Sequence, residues 1–313
     1  MKESLFYAKI LLFGEYGIIE DSMGLSIPYN FYKGKLSFEV DTDNESIARS
    51  NSSLKAYAAH LRSEQEKGRL MTKIDVDALD ADIAKGMHFH SDIPQGFGVG
   101  SSGALVAAIY NHYCLNKISP ADNSARKEIL ALKQALAQME SYFHGKSSGM
   151  DPLICYLNIP ILIKNKSDLD TVGLPSYNAE GKGAIFLLNT GNPGETQPLV
   201  NWFLEKLKHD GFRHMVKEQF VKYNDECIKS FLQGDYKPLF KSLKKLSKLA
   251  LDNFTPMIPD LFHKLWQQGI DTNAYYLKLC GSGGGGFILG FTPDLSKAKK
   301  YLKEYELEII HRF

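Results

Sequence analysis

The stretch DIPQGFGVGSSGALVAAIYNHYCLN, residues 92–116, decides how the rest of the chain is interpreted. Its first half is rich in glycine, which permits positive φ angles and lets the backbone approach a ligand closely. Its second half, from about residue 102 to 116, predicts a helix because apolar residues recur on one face, and Ser101 or Ser102 would cap its start. A glycine loop that runs into a helix N-terminus indicates an anion site, since unpaired N–H groups and the helix dipole favour negative charge there.

Two familiar nucleotide motifs do not fit this loop. Gly98-x-Gly100-x-x-Gly103 is a literal GxGxxG, but a dinucleotide site needs a second strand with an acidic residue about 20 positions on, and further helix is predicted here instead. The Walker pattern, GxxxxGK followed by Ser or Thr, is absent from the sequence. Taken alone, the stretch is also compatible with a glycine-rich turn that only caps a helix.

The composition bounds the class of protein. The 313 residues suffice for two domains of ordinary size, and 44% hydrophobic with 23% charged residues is typical of a globular protein. The net charge of +1 gives no general attraction to nucleic acid or to an anionic membrane. The N-terminal apolar run lacks a cleavage site, and no segment reaches the roughly 18 apolar residues of a membrane helix. We therefore expect a cytoplasmic protein with no nucleic-acid or membrane partner.

Cysteines and histidines do not suggest a metal centre. The four cysteines have no CxxC spacing, so neither a zinc site nor a disulfide framework is expected. His88 and His90 would share one face of a strand, but no third ligand lies nearby in the sequence.

Three polar features stand out in otherwise apolar or glycine-rich surroundings. A β-hairpin is predicted over residues 4–19, and within its apolar run Lys9 is costly unless it is paired, functional or on an exposed edge. Glu140 lies near the end of a predicted helix and Asp151 follows a glycine-containing turn, where both could be solvated charges. Strands are predicted over 152–165.

Near the C-terminus, two predicted strands flank the segment GSGGGG, residues 281–286. A flexible hairpin turn is the alternative interpretation, although six such residues are more than a hairpin needs.

Taken together, the motifs resemble the GHMP kinases, the small-molecule kinases that include galactokinase, homoserine kinase, mevalonate kinase and phosphomevalonate kinase. The family's loop Pro-x-x-x-Gly-Leu-Gly-Ser-Ser-Ala is similar to residues 94–103, with Val99 for Leu and Gly103 for Ala. The family's Lys-Leu-Thr-Gly-Ala-Gly-Gly-Gly-Gly is similar to residues 278–286, with Cys280 for Thr and Ser282 for Ala.

Mevalonate kinases show two further similar patterns in the N-terminal half. Their Ala-Pro-Gly-Lys-x-x-x-x-Gly-Glu is matched at Lys9, Gly14 and Glu15, although FYA stands before the lysine. Their Glu, followed by His-Gly-x-x-Ser-Gly-x-Asp, is matched in register from Glu140 to Asp151.

Other positions depart from the mevalonate kinase pattern. Tyr16 stands where those enzymes usually have a histidine, and phosphomevalonate kinases resemble Gly-Glu-Tyr at this point. The pattern Thr-x-x-Pro-x-x-Thr is matched through Thr196, but Gly191 and Gly194 occupy positions that are basic in the family. If those basic side chains hold the substrate carboxylate, this chain must hold it in another way.

The resemblance implies a two-domain α+β fold with a ribosomal-protein-S5-domain-2-like N-terminal domain and a ferredoxin-like C-terminal domain. Residues 1–170 would form the ATP-binding domain and residues 171–313 the C-terminal domain, divided in the turn-rich segment 166–183.

The resemblance also implies ATP and Mg²⁺ as cofactors and a small-molecule alcohol, above all mevalonate, as substrate for isoprenoid precursor synthesis. Asp151 would be the general base, Lys9 would lower the pKa of the alcohol, and Ser102 and Glu140 would bind Mg²⁺. Glu15, His144 and Thr196 would lie near the substrate. The residues implied in ATP binding are Pro94, Gly96, Gly98, Gly100, Ser101, Ser102, Gly103, Gly283 and Gly284.

Two other functions stay open from the sequence. One is phosphomevalonate kinase or another kinase of the family, and the other is a catalytically silent ATP-binding regulator on the same fold. A homodimer also stays open as the assembly.

Overall fold

The computed structural model describes residues 4–38, 45–118, 126–145, 147–165 and 167–313, without the side chains of Arg126 and His144. The strands are β1 (Phe6–Phe13), β2 (Gly24–Ser37), β3 (His88–Ser91), β4 (Ile161–Asn165), β5 (Asp168–Thr171), β6 (Ala184–Asn189), β7 (Tyr276–Leu279), β8 (Phe287–Thr292) and β9 (Leu307–Arg312). The α-helices are α1 (Glu45–Glu66), α2 (Val76–Ala84), α3 (Ser101–Tyr113), α4 (Arg126–His144), α5 (Met150–Leu157), α6 (Thr196–Lys206), α7 (Asp210–Met215), α8 (Val221–Leu232), α9 (Tyr236–Asn253), α10 (Asp260–Thr272) and α11 (Leu295–Tyr301).

The chain forms two compact units. The first unit contains the described residues of Met1–Lys9, Pro28–Pro94 and Gly100–Ile159, and the second contains those of Ile10–Ile27, Gln95–Val99 and Pro160–Phe313. The chain therefore passes from the second unit to the first between Val99 and Gly100, inside the glycine loop. The division at residues 170 and 171 stays a prediction.

The first unit is mainly helical. Its core lies where α3 packs against α4 and α5, and where α1 contacts α4. Apolar side chains of these helices are buried, and the buried Tyr57 donates a hydrogen bond to the Met139 carbonyl at 3.2 Å. The end of β2 pairs antiparallel with β3, from Gly34 opposite Ser91 to Ser37 opposite His88.

The second unit contains most of the sheet structure. The strand order β7-β8-β6-β9 forms a four-stranded antiparallel sheet, and the start of β2 pairs antiparallel with β4, which pairs with β5. Helices α6 to α11 belong to this unit, and its largest buried side chain, Trp266, donates its indole N–H to the Ser247 carbonyl at 3.0 Å. Helices and antiparallel sheets in two units confirm the α+β prediction.

Three local predictions were wrong. Neither Ser101 nor Ser102 caps α3, because the N-cap is Gly100 and both serines lie in the first turn of the helix. The second strand of the N-terminal hairpin is replaced by a 3₁₀ turn, Gly17–Glu20, because Ile18 N bonds back to Gly14 O at 3.1 Å. Of the strands predicted over 152–165, residues 152–157 belong instead to helix α5 (Met150–Leu157), whereas Ile161–Asn165 form strand β4 as predicted. A short apolar run does not distinguish a buried strand from a buried helix, and Pro152 lies in the first turn, where a helix tolerates proline.

Among the helices that the structure describes, none is long and apolar enough to cross a membrane.

Candidate active site

A lysine and an aspartate form the centre of the candidate site in the first unit. Lys9 on β1 lies 2.9 Å from the carboxylate of Asp151, measured from Nζ to Oδ1. Asp151 is in the first turn of α5, so the apparent turn aspartate is held by a helix. The lysine side chain is 4% exposed, whereas that of Asp151 is 41% exposed. The pair therefore combines a buried cation with a carboxylate that solvent and a substrate can reach.

Glycines at the start of α3 allow the helix to approach both members of this pair. Gly100 has a φ of +86°, and a Cβ there would lie 2.8 Å from Lys9 Cγ. A Cβ on Gly103 would lie 2.8 Å from the carbonyl carbon of Asp151. The glycine that stands for the family's alanine thus lets α3 pack directly on the N-terminus of α5. The first turn of α3, with Ser101 and Ser102, is placed beside the ion pair.

Glu140, near the end of α4, is buried at 3% exposure and accepts hydrogen bonds on both carboxylate oxygens. Ser102 Oγ donates to Oε1 at 3.3 Å, and Ser147 Oγ donates to Oε2. Burial raises the pKa of Glu140 to about 7, with the negative charge of Asp151 as a second cause. Ser102, Glu140 and Asp151 therefore belong to one cluster.

Ser147 was not predicted from the sequence. Besides donating to Glu140, its hydroxyl accepts a hydrogen bond from Gly149 N at 2.9 Å, which joins the turn before α5 to α4. A serine in the turn KSSG is an ordinary turn residue, and only the folded chain shows what it contacts. His144 ends α4, and its predicted role falls on a side chain outside the described part of the structure.

The chemistry of Ser102 and Glu140 fits Mg²⁺. This ion prefers oxygen ligands, keeps several waters and is usually bound through one or two carboxylates together with substrate phosphates. A buried carboxylate whose pKa is raised by burial and by a second carboxylate is stabilised in its ionised form by a cation. No group of three or more His, Cys, Asp or Glu side chains suited to a metal occurs among the described residues.

In the second unit, three glycine-containing segments meet through their backbones. They are residues 95–99, residues 191–194 and residues 281–286. A Cβ on Gly98 would lie 2.8 Å from Cys280 O, and Gly194 N donates to Gly96 O at 2.9 Å. The predicted ATP-binding glycines 96, 98, 283 and 284 thus belong to one backbone cluster of the second unit. Gly100 and Gly103 belong to the first unit.

The same cluster explains the missing basic residue at position 194. A Cβ on Gly194 would lie 2.6 Å from Gly283 O and 3.1 Å from Gly285 N. A lysine or arginine at this position would collide with the backbone of residues 281–286. Close packing of the segments therefore excludes the side chain that the family pattern has here.

The two predicted substrate residues of the second unit lie in different surroundings. Glu15 is buried, and its Oε2 lies 2.5 Å from Nζ of the buried Lys278, which also donates to Leu279 O at 3.0 Å. Thr196 is exposed at the start of α6, where its hydroxyl accepts a hydrogen bond from Ser282 Oγ at 3.2 Å. Lys278 was not predicted, although a lysine within the apolar strand YLKL is the same sequence feature that singled out Lys9.

Comparison with known families agrees with this geometry. The profile described as "GHMP kinases N terminal domain" matches residues 56–158, and that described as "GHMP kinases C terminal" matches residues 227–306, together more than half of the chain. The chain is a GHMP kinase. It is accordingly an ATP-dependent kinase of small molecules.

Solved structures share the fold at low sequence identity. L. major mevalonate kinase in complex with R-mevalonate matches 100% of this chain and 96% of its own, with a TM-score of 0.65 and 15% identity. Streptococcus pneumoniae phosphomevalonate kinase in complex with phosphomevalonate and AMPPNP matches 99% and 100%, with a TM-score of 0.60 and 16% identity. Lactococcus lactis galactokinase complexed with galactose matches 99% and 94%, with a TM-score of 0.58 and 13% identity. No curated protein sequence matches the chain.

Proposed function

We propose that this GHMP kinase transfers the γ-phosphoryl group of ATP to the hydroxyl of mevalonate, forming 5-phosphomevalonate and ADP for isoprenoid precursor synthesis. The observation that carries the proposal is the 2.9 Å pair of a buried Lys9 and a half-exposed Asp151 beside the first turn of α3. Phosphoryl transfer depends mainly on positioning and on electrostatic stabilisation, and this cluster supplies both a base and a fixed positive charge.

Asp151 is the proposed general base. Its carboxylate accepts the proton of the substrate hydroxyl as the alcohol oxygen bonds to the γ-phosphorus and the bond from that phosphorus to ADP breaks. Lys9, whose ammonium is buried against Asp151, stabilises the developing alkoxide and the charge on the transferring group. Because Lys9 also holds the Asp151 carboxylate in place, the base is positioned before the substrate arrives.

Ser102 and Glu140 are the proposed ligands of Mg²⁺. When bound, the ion neutralises charge on the phosphate oxygens of ATP. Ser147, through its hydrogen bond to Glu140, orients the carboxylate that would hold the ion. Backbone N–H groups at the start of α3 are proposed to bind the phosphates of ATP. The role in ATP binding of glycines 96, 98, 283 and 284 stays a prediction.

Mevalonate is proposed as the acceptor because the pattern from Glu140 to Asp151 and the four-glycine run Gly283–Gly286 resemble mevalonate kinases. Tyr16 was the residue that favoured phosphomevalonate kinase. Its side chain is buried and its hydroxyl donates to Ser282 O at 2.7 Å, so the Tyr16 side chain contacts the protein itself. The fold does not distinguish between these acceptor substrates, since mevalonate, phosphomevalonate and galactose kinases all share it.

The alternatives differ in how they would use this pair. Another GHMP kinase would use the same Lys9 and Asp151 on a different alcohol, and a phosphomevalonate kinase would use them on the phosphate group of its substrate. A silent ATP-binding regulator would bind the nucleotide without turnover, but it has no need of a lysine and aspartate held 2.9 Å apart. A cytoplasmic location is also proposed, because the four cysteines are buried free thiols, as expected in a reducing compartment.

The test is a coupled ADP-release assay with Mg-ATP and, separately, mevalonate, 5-phosphomevalonate, homoserine and galactose. We expect turnover on mevalonate, and the Asp151→Asn variant should lose about 10²- to 10⁴-fold in kcat. Asp80→Asn, in which an exposed aspartate paired with Arg62 is changed, is the matched control and should retain activity. Turnover confined to another alcohol would contradict the mevalonate assignment, and normal kcat in Asp151→Asn would contradict the base assignment.

A further inference from the structure

Three residues from distant parts of the sequence form a hydrogen-bonded line in the second unit. The Tyr16 hydroxyl donates to the Ser282 carbonyl at 2.7 Å, and the Ser282 hydroxyl donates to Thr196 Oγ1 at 3.2 Å. We propose that Tyr16 and Ser282 are positioning residues for the acceptor alcohol, acting through the hydroxyl of Thr196. This inference rests on the proposed function and on the prediction from the sequence that Thr196 lies near the substrate.

Tyr16 begins the line in a strained conformation. Its φ of +61° is uncommon for a residue other than glycine, and such a backbone persists only where its surroundings hold it. Its ring lies 4.7 Å from that of Phe203 and 6.1 Å from that of Phe254, measured between centroids. Burial raises the pKa of Tyr16, so the phenol stays protonated and remains a donor to Ser282. The fold thus maintains a strained residue whose hydroxyl holds one carbonyl of the glycine segment.

Ser282 connects Tyr16 to Thr196, because its carbonyl accepts the bond from Tyr16 and its hydroxyl donates to the Thr196 side chain. Because the Ser282 hydroxyl is the donor, Thr196 accepts this bond and can donate its own proton to an oxygen of the substrate. A threonine hydroxyl on the exposed start of α6 would otherwise sample several rotamers. Fixing the rotamer in advance reduces the entropy lost when the substrate binds. At position 282 the family pattern has alanine, so the Ser282 hydroxyl is a departure from that pattern.

The rest of the glycine segment is held without the Ser282 side chain. Gly284 N donates to Met257 O at 2.7 Å, Gly286 N donates to Asn192 O at 2.6 Å, and Thr190 N donates to Gly286 O at 2.9 Å. Replacing Ser282 by the family's alanine therefore removes one hydroxyl and leaves these backbone bonds intact. The variant should fold and bind ATP normally.

The decisive experiment is a double-mutant cycle in the ADP-release assay. We expect Ser282→Ala to raise the KM for the alcohol by about threefold to tenfold, the usual effect of one lost hydrogen bond, with kcat and the KM for ATP within about twofold of wild type. Thr196→Val should raise the same KM at least as much, and the double variant should be no worse than Thr196→Val alone. Multiplying effects, or an unchanged KM in Ser282→Ala, would overturn the proposal.

Tyr16→Phe tests the first bond of the line. It removes only the phenolic oxygen, and it should raise the KM for the alcohol in the same direction as Ser282→Ala. The matched control is Tyr275→Phe, since Tyr275 is also buried and donates to a carbonyl, that of Leu265, at 2.8 Å. Both variants should lose stability, but only Tyr16→Phe should change the KM. An equal change in the control would reduce Tyr16 to a structural role.

Failure of the proposed function can be distinguished from failure of this inference. If another alcohol is turned over in place of mevalonate, the same cycle is run on that alcohol and has the same expected outcome. If no alcohol reacts, amide hydrogen exchange of residues 190–196 and 281–286 is compared between wild type and Tyr16→Phe. Faster exchange in both segments would support the line of bonds, and unchanged exchange would overturn it.

Discussion

Two lysine–carboxylate pairs differ in one physical respect, the exposure of the acid. In the first unit, Lys9 is 4% and Asp151 41% exposed, with 2.9 Å between them. In the second unit, Lys278 and Glu15 are 7% and 5% exposed, with 2.5 Å between them. Both lysines lie in apolar strands, so the sequence presents them in the same way.

This difference suits the two pairs to different roles. A carboxylate that solvent reaches can also receive a proton from a substrate, whereas a closed ion pair mainly satisfies two charges that would be costly to bury alone. Asp151 is therefore suited to chemistry, and the Lys278–Glu15 pair is suited to joining β7 to the turn after β1. The predicted contact of Glu15 with substrate stays a prediction.

The largest expected effect is on catalysis at the first pair. Lys9→Met removes the cation next to the proposed base, and we expect kcat to fall by about 10²- to 10³-fold, the range found when one stabilising donor is removed from a transition state. Asp151 can be hydrated once the lysine is gone, so the melting temperature should change little. Steady-state kinetics and thermal unfolding measure the two quantities.

Lys248→Met is the matched control for that variant. Lys248 forms a half-exposed pair with Asp252 at 2.7 Å in α9, far along the chain from the candidate site. It should retain wild-type kcat. A Lys9→Met variant as active as Lys248→Met would remove the distinction between the pairs.

The second pair should respond in the opposite way. Lys278→Met leaves the Glu15 carboxylate buried without its cation, and we expect the free energy of unfolding to fall by about 3–5 kcal/mol. Urea denaturation measures the loss. Adding Glu15→Gln to Lys278→Met should recover part of it, because the uncompensated charge is then removed. A decrease in the free energy of unfolding below about 1 kcal/mol, the range of surface ion pairs, would show that the second pair is not shielded from solvent.

A smaller effect is expected at the contact between α3 and α5. Gly103→Ala places a Cβ 2.8 Å from the carbonyl carbon of Asp151, and overpacking of this kind costs about 1–3 kcal/mol. The shift of Asp151 should also lower kcat. Gly211→Ala is the control, since no atom lies within 4 Å of its added Cβ and the change in an exposed helix should be neutral or stabilising. Equal stabilities of the two variants would contradict the close packing.

Much of the candidate site could be predicted from the sequence because its chemistry depends on local patterns. The glycine loop before α3, the spacing from Glu140 to Asp151 and the lysine in a strand are all visible within short windows. The family resemblance connected these patterns and predicted the α+β fold and the kinase activity. The strand predicted at 152–165 failed where α5 forms, since helices and strands can both bury a short apolar run.

The contact of Ser147, the partner of Lys278 and the line from Tyr16 to Thr196 could not be predicted in this way. Each depends on a partner brought close by the fold, such as Glu15, which is 263 positions from Lys278. Periodicity and motif spacing describe neighbours along the chain and contain no information on such pairs.

The sequence by itself determined which residue types are available for the proposed phosphate binding, proton transfer and metal binding, because these depend on composition and local spacing. Only the tertiary structure decided which lysine faces an exposed carboxylate and which faces a buried one. The physical reason is that the exposure of a charge depends on everything packed around it, and this environment sets its solvation and hence its reactivity.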